Sequence, residues 1–276
     1  MTSIKKISKL VICVTFYFVT ERLAYLRKIS SKFAQLAEKV EVFIVTNLQD
    51  KESNILQLLA DYDLDLKIVS PFLLGHPFLL TWCHFDIFRR VLNLDKTVTH
   101  FLYLEDDIYI TPENINYWIE GRERLRTFGL IPSFLRYETQ VFTDERFSTD
   151  VTQILNFNAL PRVYFQQIHY AYLNLPQPYQ GMYLLDRELM EEHLNNSCHP
   201  DFGIWHIREK AAQGITFLNI PEGFISRNLI GYNTLLQEID QRCLIHHLPN
   251  NYVNNQNTPF GKVPIRNLIS PLCDDD

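Results

Sequence analysis

The first hundred or so residues alternate short apolar runs rich in β-branched and aromatic side chains with segments whose apolar residues recur at helical spacing. Residues 10–18 read as a strand. Residues 21–38 carry Leu23, Leu26, Ile29, Phe33 and Leu36 on one helical face. Residues 40–46 read as a second strand, 51–60 as a short helix, 64–69 as a third strand and 79–92 as a buried helix. A fourth strand follows over 99–104. Parallel strands need a crossover, and a crossover helix must bury its apolar stripe on the sheet. The β-α-β-α-β-α-β order with short connections therefore predicts an α/β fold with a Rossmann-type, mostly parallel central sheet flanked by helices.

The fourth strand ends in three consecutive carboxylates, Glu105, Asp106 and Asp107, framed by Phe101–Leu104 and by Ile108 and Ile110. Carboxylates are almost never buried without a partner. Three at the end of an apolar strand repel one another unless a cation is present. Hard divalent ions take oxygen ligands and are commonly held by one or two carboxylates plus substrate phosphates. The plainer alternative is a polar strand end before a helix that starts at Thr111 and Pro112. Ligands of such sheets bind outside the carboxyl ends of the strands. Thr15, Phe16 and Tyr17 after the first strand, and Thr46 and Asn47 after the second, lie at the same edge.

With nine glycines in all, the chain has neither a Gly-x-Gly-x-x-Gly fingerprint nor a Gly-Lys-Ser/Thr loop. Phosphate binding then falls to a metal helped by Arg and Lys. The net charge of −6 argues against a nucleic-acid surface. Cysteines 13, 83, 198, 243 and 273 form no CxxC pair and suit reduced thiols in the cytoplasm. Lys5, Lys6 and Lys9 before the apolar stretch 10–19 resemble a secretory leader only superficially. Thr15 interrupts the stretch and no small-residue cleavage site follows. The same lysines beside exposed aromatics allow a weak peripheral contact with the inner face of a membrane.

The second half is less regular. A helix is expected over 112–127 and a strand over 131–142, with Arg136, Tyr137 and Glu138 inside it. Further expected are an extended run over 178–185 leading into a helix over 186–194, a helix over 205–213 and a strand over 216–220. Residues 254–276 read as a loosely structured tail. No linker or composition break divides residues 1–253, which read as one domain with a nucleotide-binding half (10–110) and a smaller, mixed acceptor-binding half (111–253).

These features, and Leu104-Glu105-Asp106-Asp107-Ile108 above all, resemble the GT-A glycosyltransferases, whose Asp-x-Asp signature appears here in Glu-Asp-Asp form. The resemblance spans roughly residues 10–252, with the triplet its one sharp motif. It implies Mn2+ or Mg2+ bound by Asp107, with Glu105 departing from the usual first Asp. It assigns Asp106, Thr15, Phe16, Asn47 and Arg22 to the nucleotide-sugar; the plain reading of Arg22 is a solvated side chain. It also implies a C-terminal histidine ligand, His246 or His247. For an inverting reaction it suggests Asp201 as base, with Glu209 as the alternative; the plain readings are a helix cap for Asp201 and a solvated helix face for Glu209. Tyr179, Gln180 and Gly181 would meet the acceptor, or else form an ordinary strand with a glycine bulge. Trp82, Phe85 and Phe88 read as core, and His84 shares a face with Phe88.

The resulting expectation is metal-dependent transfer of a sugar from a nucleoside-diphosphate sugar to a saccharide or glycoconjugate hydroxyl. The alternatives are a nucleotidyltransferase acting on a sugar phosphate, disfavoured by the lack of a glycine loop after the first strand, and a non-catalytic nucleotide- or sugar-binding module.

Overall fold

The computed structural model describes residues 6–48, 52–72, 75–196 and 207–270. The chain forms two compact units, each assembled from separate stretches: residues 1–112 with 181–215, and residues 113–180 with 216–276.

The first unit is built on β1 (Lys9–Phe16), β2 (Lys39–Thr46), β3 (Asp65–Val69) and β4 (His100–Glu105). They lie in the order β4-β1-β2-β3, all parallel. The strand Met182–Asp186 adds antiparallel to the free side of β4. The expected α/β class therefore forms. β1 lies between β2 and β4 and is buried over nearly its whole length, which is why its sequence is a continuous apolar run and not an alternation. At the edge, β3 is only half-buried and carries Asp65 and Lys67, charges that discourage further strand pairing.

The connections are α1 (Leu23–Ser30), α2 (Glu52–Leu59) and α3 (His84–Leu94). The single helix expected over 21–38 is instead a 3₁₀ turn (Thr20–Arg22), then α1, then a second turn (Phe33–Gln35). It stops where two serines fall together, and Ser31 Oγ donates to the Lys28 carbonyl at 2.7 Å, competing with the helical ladder. Likewise a 3₁₀ segment (Pro77–Trp82) precedes α3, with Trp82 Nε1 donating to the Ile207 carbonyl at 2.9 Å. His84 is fully buried, its ring 4.2 Å from that of Tyr103. His193, on the helix Arg187–Asn195, is also buried, 4.9 Å from Phe85 and 5.3 Å from Tyr183. Burial lowers both imidazoles, His84 well below its ordinary value and His193 to about 4.

In the second unit the strands Arg162–Phe165, Tyr170–Leu173, Asn228–Asn233 and Glu238–Ile239 pair antiparallel in that order. The strand Asn228–Asn233 corrects the expectation of one over 216–220, where none forms. Its sequence, Asn-Leu-Ile-Gly-Tyr-Asn, carries turn-like residues, but Gly231 serves packing. A Cβ there would lie 2.0 Å from Tyr170 Oη and 2.9 Å from Tyr117 Cε2. A second set runs Val263–Pro264, Arg146–Ser148, Leu135–Thr139 and Leu244–His247. Residues 254–276 thus supply ordered pieces: Val263–Pro264 pairs with Arg146–Ser148, and Ile269–Ser270 with Leu155–Asn156. The strand expected over 131–142 is divided into Ile131–Pro132 and Leu135–Thr139.

Candidate active site

In the first unit the parallel ladders bring the polar strand ends into register. Thr15 stands opposite Val45 on one side and Glu105 on the other, and Phe16 opposite Thr46. Asn47 Oδ1 accepts the Phe18 N–H at 2.8 Å, tying the loop after β1 to the end of β2. Phe16 itself is fully buried, 6.0 Å from Phe18 in an edge-on contact, so it supports the edge from the core and offers no surface to a ligand.

The acidic triplet turns out of β4 at the same edge. Asp106 is 4% and Asp107 6% exposed. Burying two adjacent carboxylates is costly unless a cation compensates, and the compensating group is Arg22. Its Nε donates to Asp106 Oδ2 at 2.7 Å and its Nη2 to Asp106 Oδ1 and, at 2.7 Å, to Asp107 Oδ2. A bidentate guanidinium–carboxylate pair is among the stronger polar contacts a protein makes. Burial raises the Asp106 carboxyl above its usual range, the Arg22 hydrogen bonds oppose this, and neighbouring Asp107 raises it again. With guanidinium nitrogens on both oxygens, the ionised form is the one this geometry holds. The same contacts raise Arg22, hydrogen bonding to Asp106 first.

Glu105 donates its backbone N–H to the Gly181 carbonyl at 3.1 Å. Gly181 has φ +65°, and a Cβ there would sit 3.1 Å from Glu105 Oε2 and 3.2 Å from Ile108 Cγ1. Both the left-handed backbone and the crowding require glycine. Glu209 lies half-buried on the helix Ile207–Ala211 in a 2.8 Å ion pair with Arg208. Asp201 lies outside the described residues.

In the second unit, Gln180 is buried and its Oε1 accepts the Phe134 N–H at 2.7 Å. That bond ties its amide oxygen to the backbone. Tyr179 lies against Arg136, whose guanidinium carbon is 4.6 Å from the ring centroid. Arg136 is held bidentate by Asp150 at 3.0 and 2.6 Å. The two histidines separate as alternation along a strand demands. His246 stacks flat on Tyr137 at 4.9 Å, with Nε2 3.3 Å from Asn250 Oδ1. His247 is 6% exposed and its Nδ1 lies 2.6 Å from Oε1 of the fully buried Glu138. Glu138 Oε2 also accepts the N–H groups of Tyr252 at 2.8 Å and Val253 at 2.7 Å. The sequence carried a signal for Glu138, an acid inside an apolar strand, but not its partners.

Among the described residues no three His, Cys, Asp or Glu side chains stand together as a preformed metal cage. Magnesium-type ions do not require one, since one or two carboxylates plus substrate phosphates suffice. The triplet supplies hard oxygen donors, and Asp106 and Asp107 already attract a cationic group. The donor set fits a divalent ion. Among the described residues no helix is long and apolar enough to cross a membrane.

No family model and no curated protein matches the chain. Two solved structures of S. aureus TarS are similar to it. One aligns at 14% identity and a TM-score of 0.34 over 67% of this chain and 29% of that one. The other, of TarS 1-349, aligns at 15% identity and a TM-score of 0.37 over 75% of this chain and 56% of that one. The chain thus spans less than two thirds of the length of either. At these scores the likeness carries no argument about function.

Proposed function

We propose that the chain is a glycosyltransferase that moves a sugar from a nucleoside-diphosphate sugar to a hydroxyl of a saccharide or glycoconjugate. The observation that supports this reading is the convergence of Thr15, Arg22, Asn47, Asp106 and Asp107 at the carboxyl edge of one parallel sheet. Strand ends of this kind receive nucleotides, and the edge pairs acidic residues with an arginine in place of a glycine-rich phosphate loop.

In the reaction, the acceptor oxygen forms a bond to the anomeric carbon as the bond from that carbon to the diphosphate oxygen breaks. The diphosphate leaves with the electron pair, so the site must stabilise negative charge there. Mn2+ or Mg2+, when bound at Asp107 and Glu105, supplies that stabilisation as a Lewis acid. Thr15 and Asn47 line the nucleoside side, and Arg22 contributes positive charge. If the transfer inverts configuration, Asp201 receives the acceptor proton as general base.

The test is a thermal-shift series with UDP, GDP, CDP and dTDP, each with Mn2+, Mg2+ or EDTA, on the native chain and on Asp107→Ala. A ligand of the native state raises the melting temperature by mass action. The expected result is stabilisation by one diphosphate, dependent on metal and lost in the variant. Metal-independent stabilisation would favour a binding module. No stabilisation by any of them would remove the nucleotide reading.

A further inference from the structure

We propose that Arg22 is a positioning residue that is handed over between two partners: it partly offsets the charge of Asp106 and Asp107 before substrate binds, and a divalent cation displaces it onto the diphosphate. The inference rests on the transferase reading above and deepens it.

Three observations carry it. First, Arg22 satisfies both oxygens of Asp106 and one of Asp107, so its guanidinium occupies an Asp107 oxygen that a divalent ion at Asp107 and Glu105 would take. Two cations on one set of oxygens repel, so guanidinium and metal ion compete. Second, the acids are the fixed half of the contact and the arginine the movable half. The side chains of Asp106 and Asp107 are 6% and 8% exposed, whereas that of Arg22 is 32% exposed. Arg22 closes the short 3₁₀ turn Thr20–Arg22, which follows a loop whose Tyr17 and Val19 are exposed. Third, once displaced, a guanidinium needs an anion of matching geometry, and phosphate oxygens provide the same two-pronged partner as a carboxylate. Asp106 and Asp107 thereby have a cationic partner in both states. It also resists taking up a metal ion before the diphosphate that should accompany it.

The handover predicts effects of opposite sign from one substitution. Arg22→Gln removes the competitor, so Mn2+ alone, followed by electron paramagnetic resonance of the free ion, should bind about tenfold more tightly, the equilibrium worth of one charge-assisted hydrogen bond. The same variant should bind inorganic pyrophosphate more weakly. Asp106→Asn releases Arg22 from its bidentate pair and should tighten pyrophosphate binding in EDTA, and Arg22→Gln/Asp106→Asn should lose that gain. Simple removal of a negative charge would keep the gain in the double variant. Should Arg22→Gln fail to fold, Arg22→Lys reads the same effect at smaller size, because an ammonium satisfies one carboxylate at a time.

Unchanged or weaker Mn2+ binding in the folded Arg22 variants overturns the handover, as does a gain from Asp106→Asn that survives in the double variant. A chain that passes these tests yet is stabilised by no nucleoside diphosphate keeps the handover and loses the transferase reading.

Discussion

Glu138→Gln tests how one buried carboxylate organises a candidate histidine. Glu138 is fully buried and accepts three hydrogen bonds: from His247 Nδ1 at 2.6 Å and from the N–H groups of Tyr252 and Val253 at 2.8 and 2.7 Å. The glutamine amide has the same shape but only one oxygen. If that oxygen takes the two backbone donors, its NH2 faces His247 Nδ1, and the imidazole must move its proton to Nε2 to accept. Each of three charge-assisted bonds then becomes a neutral one. At roughly 1 kcal/mol lost per bond, the variant should be about 2–4 kcal/mol less stable. Glu138→Ala leaves three buried donors without an acceptor and should cost more, roughly 1–3 kcal/mol for each. Urea unfolding gives the free energy, with an unchanged m-value as the check that only stability has moved. Long-range 15N–1H correlation gives the His247 tautomer directly. A Gln variant within about 1 kcal/mol of the native chain, with Nδ1 still protonated, would refute the reasoning.

Two further predictions follow from buried groups. His84 and His193 have folded values below the ordinary 6.5, with His193 at about 4, so between those values the unfolded chain binds protons the folded chain refuses. Stability should therefore fall as pH drops from about 6.5 toward 4, by up to about 1.4 kcal/mol per pH unit for each histidine. His193→Phe keeps an aromatic ring beside Phe85 and Tyr183 and should flatten that slope by about one proton; a slope unchanged in chemical unfolding at stepped pH would contradict it. Gly181→Ala places a methyl group 3.1 Å from Glu105 Oε2 at φ +65°. It should cost roughly 1–3 kcal/mol and weaken metal-dependent nucleotide stabilisation, and a variant as stable and as responsive as the native chain would argue against that role.

Elements encoded by local physics could be read from the chain directly. β1 and β4 were legible because strands buried on both faces must be continuous apolar runs, and the acidic triplet was legible because it interrupts such a run. The extended segment leading into the helix Arg187–Asn195 was legible too, except that Asp186, expected inside the helix, caps it by accepting the Leu189 N–H at 2.9 Å. The strand Asn228–Asn233 escaped because its glycine is explained only by Tyr170 and Tyr117, side chains remote in sequence. Partnerships were likewise the business of tertiary structure alone. Arg22 meets Asp106 across 84 positions, and Glu138 meets His247 across 109. Periodicity and capping act over a turn or two of chain, whereas the choice of counter-ion for a buried carboxylate depends on which strand ends the sheet topology brings together. The sequence therefore announced that Asp106 and Asp107 needed a cation, and only the fold brought Arg22 to them.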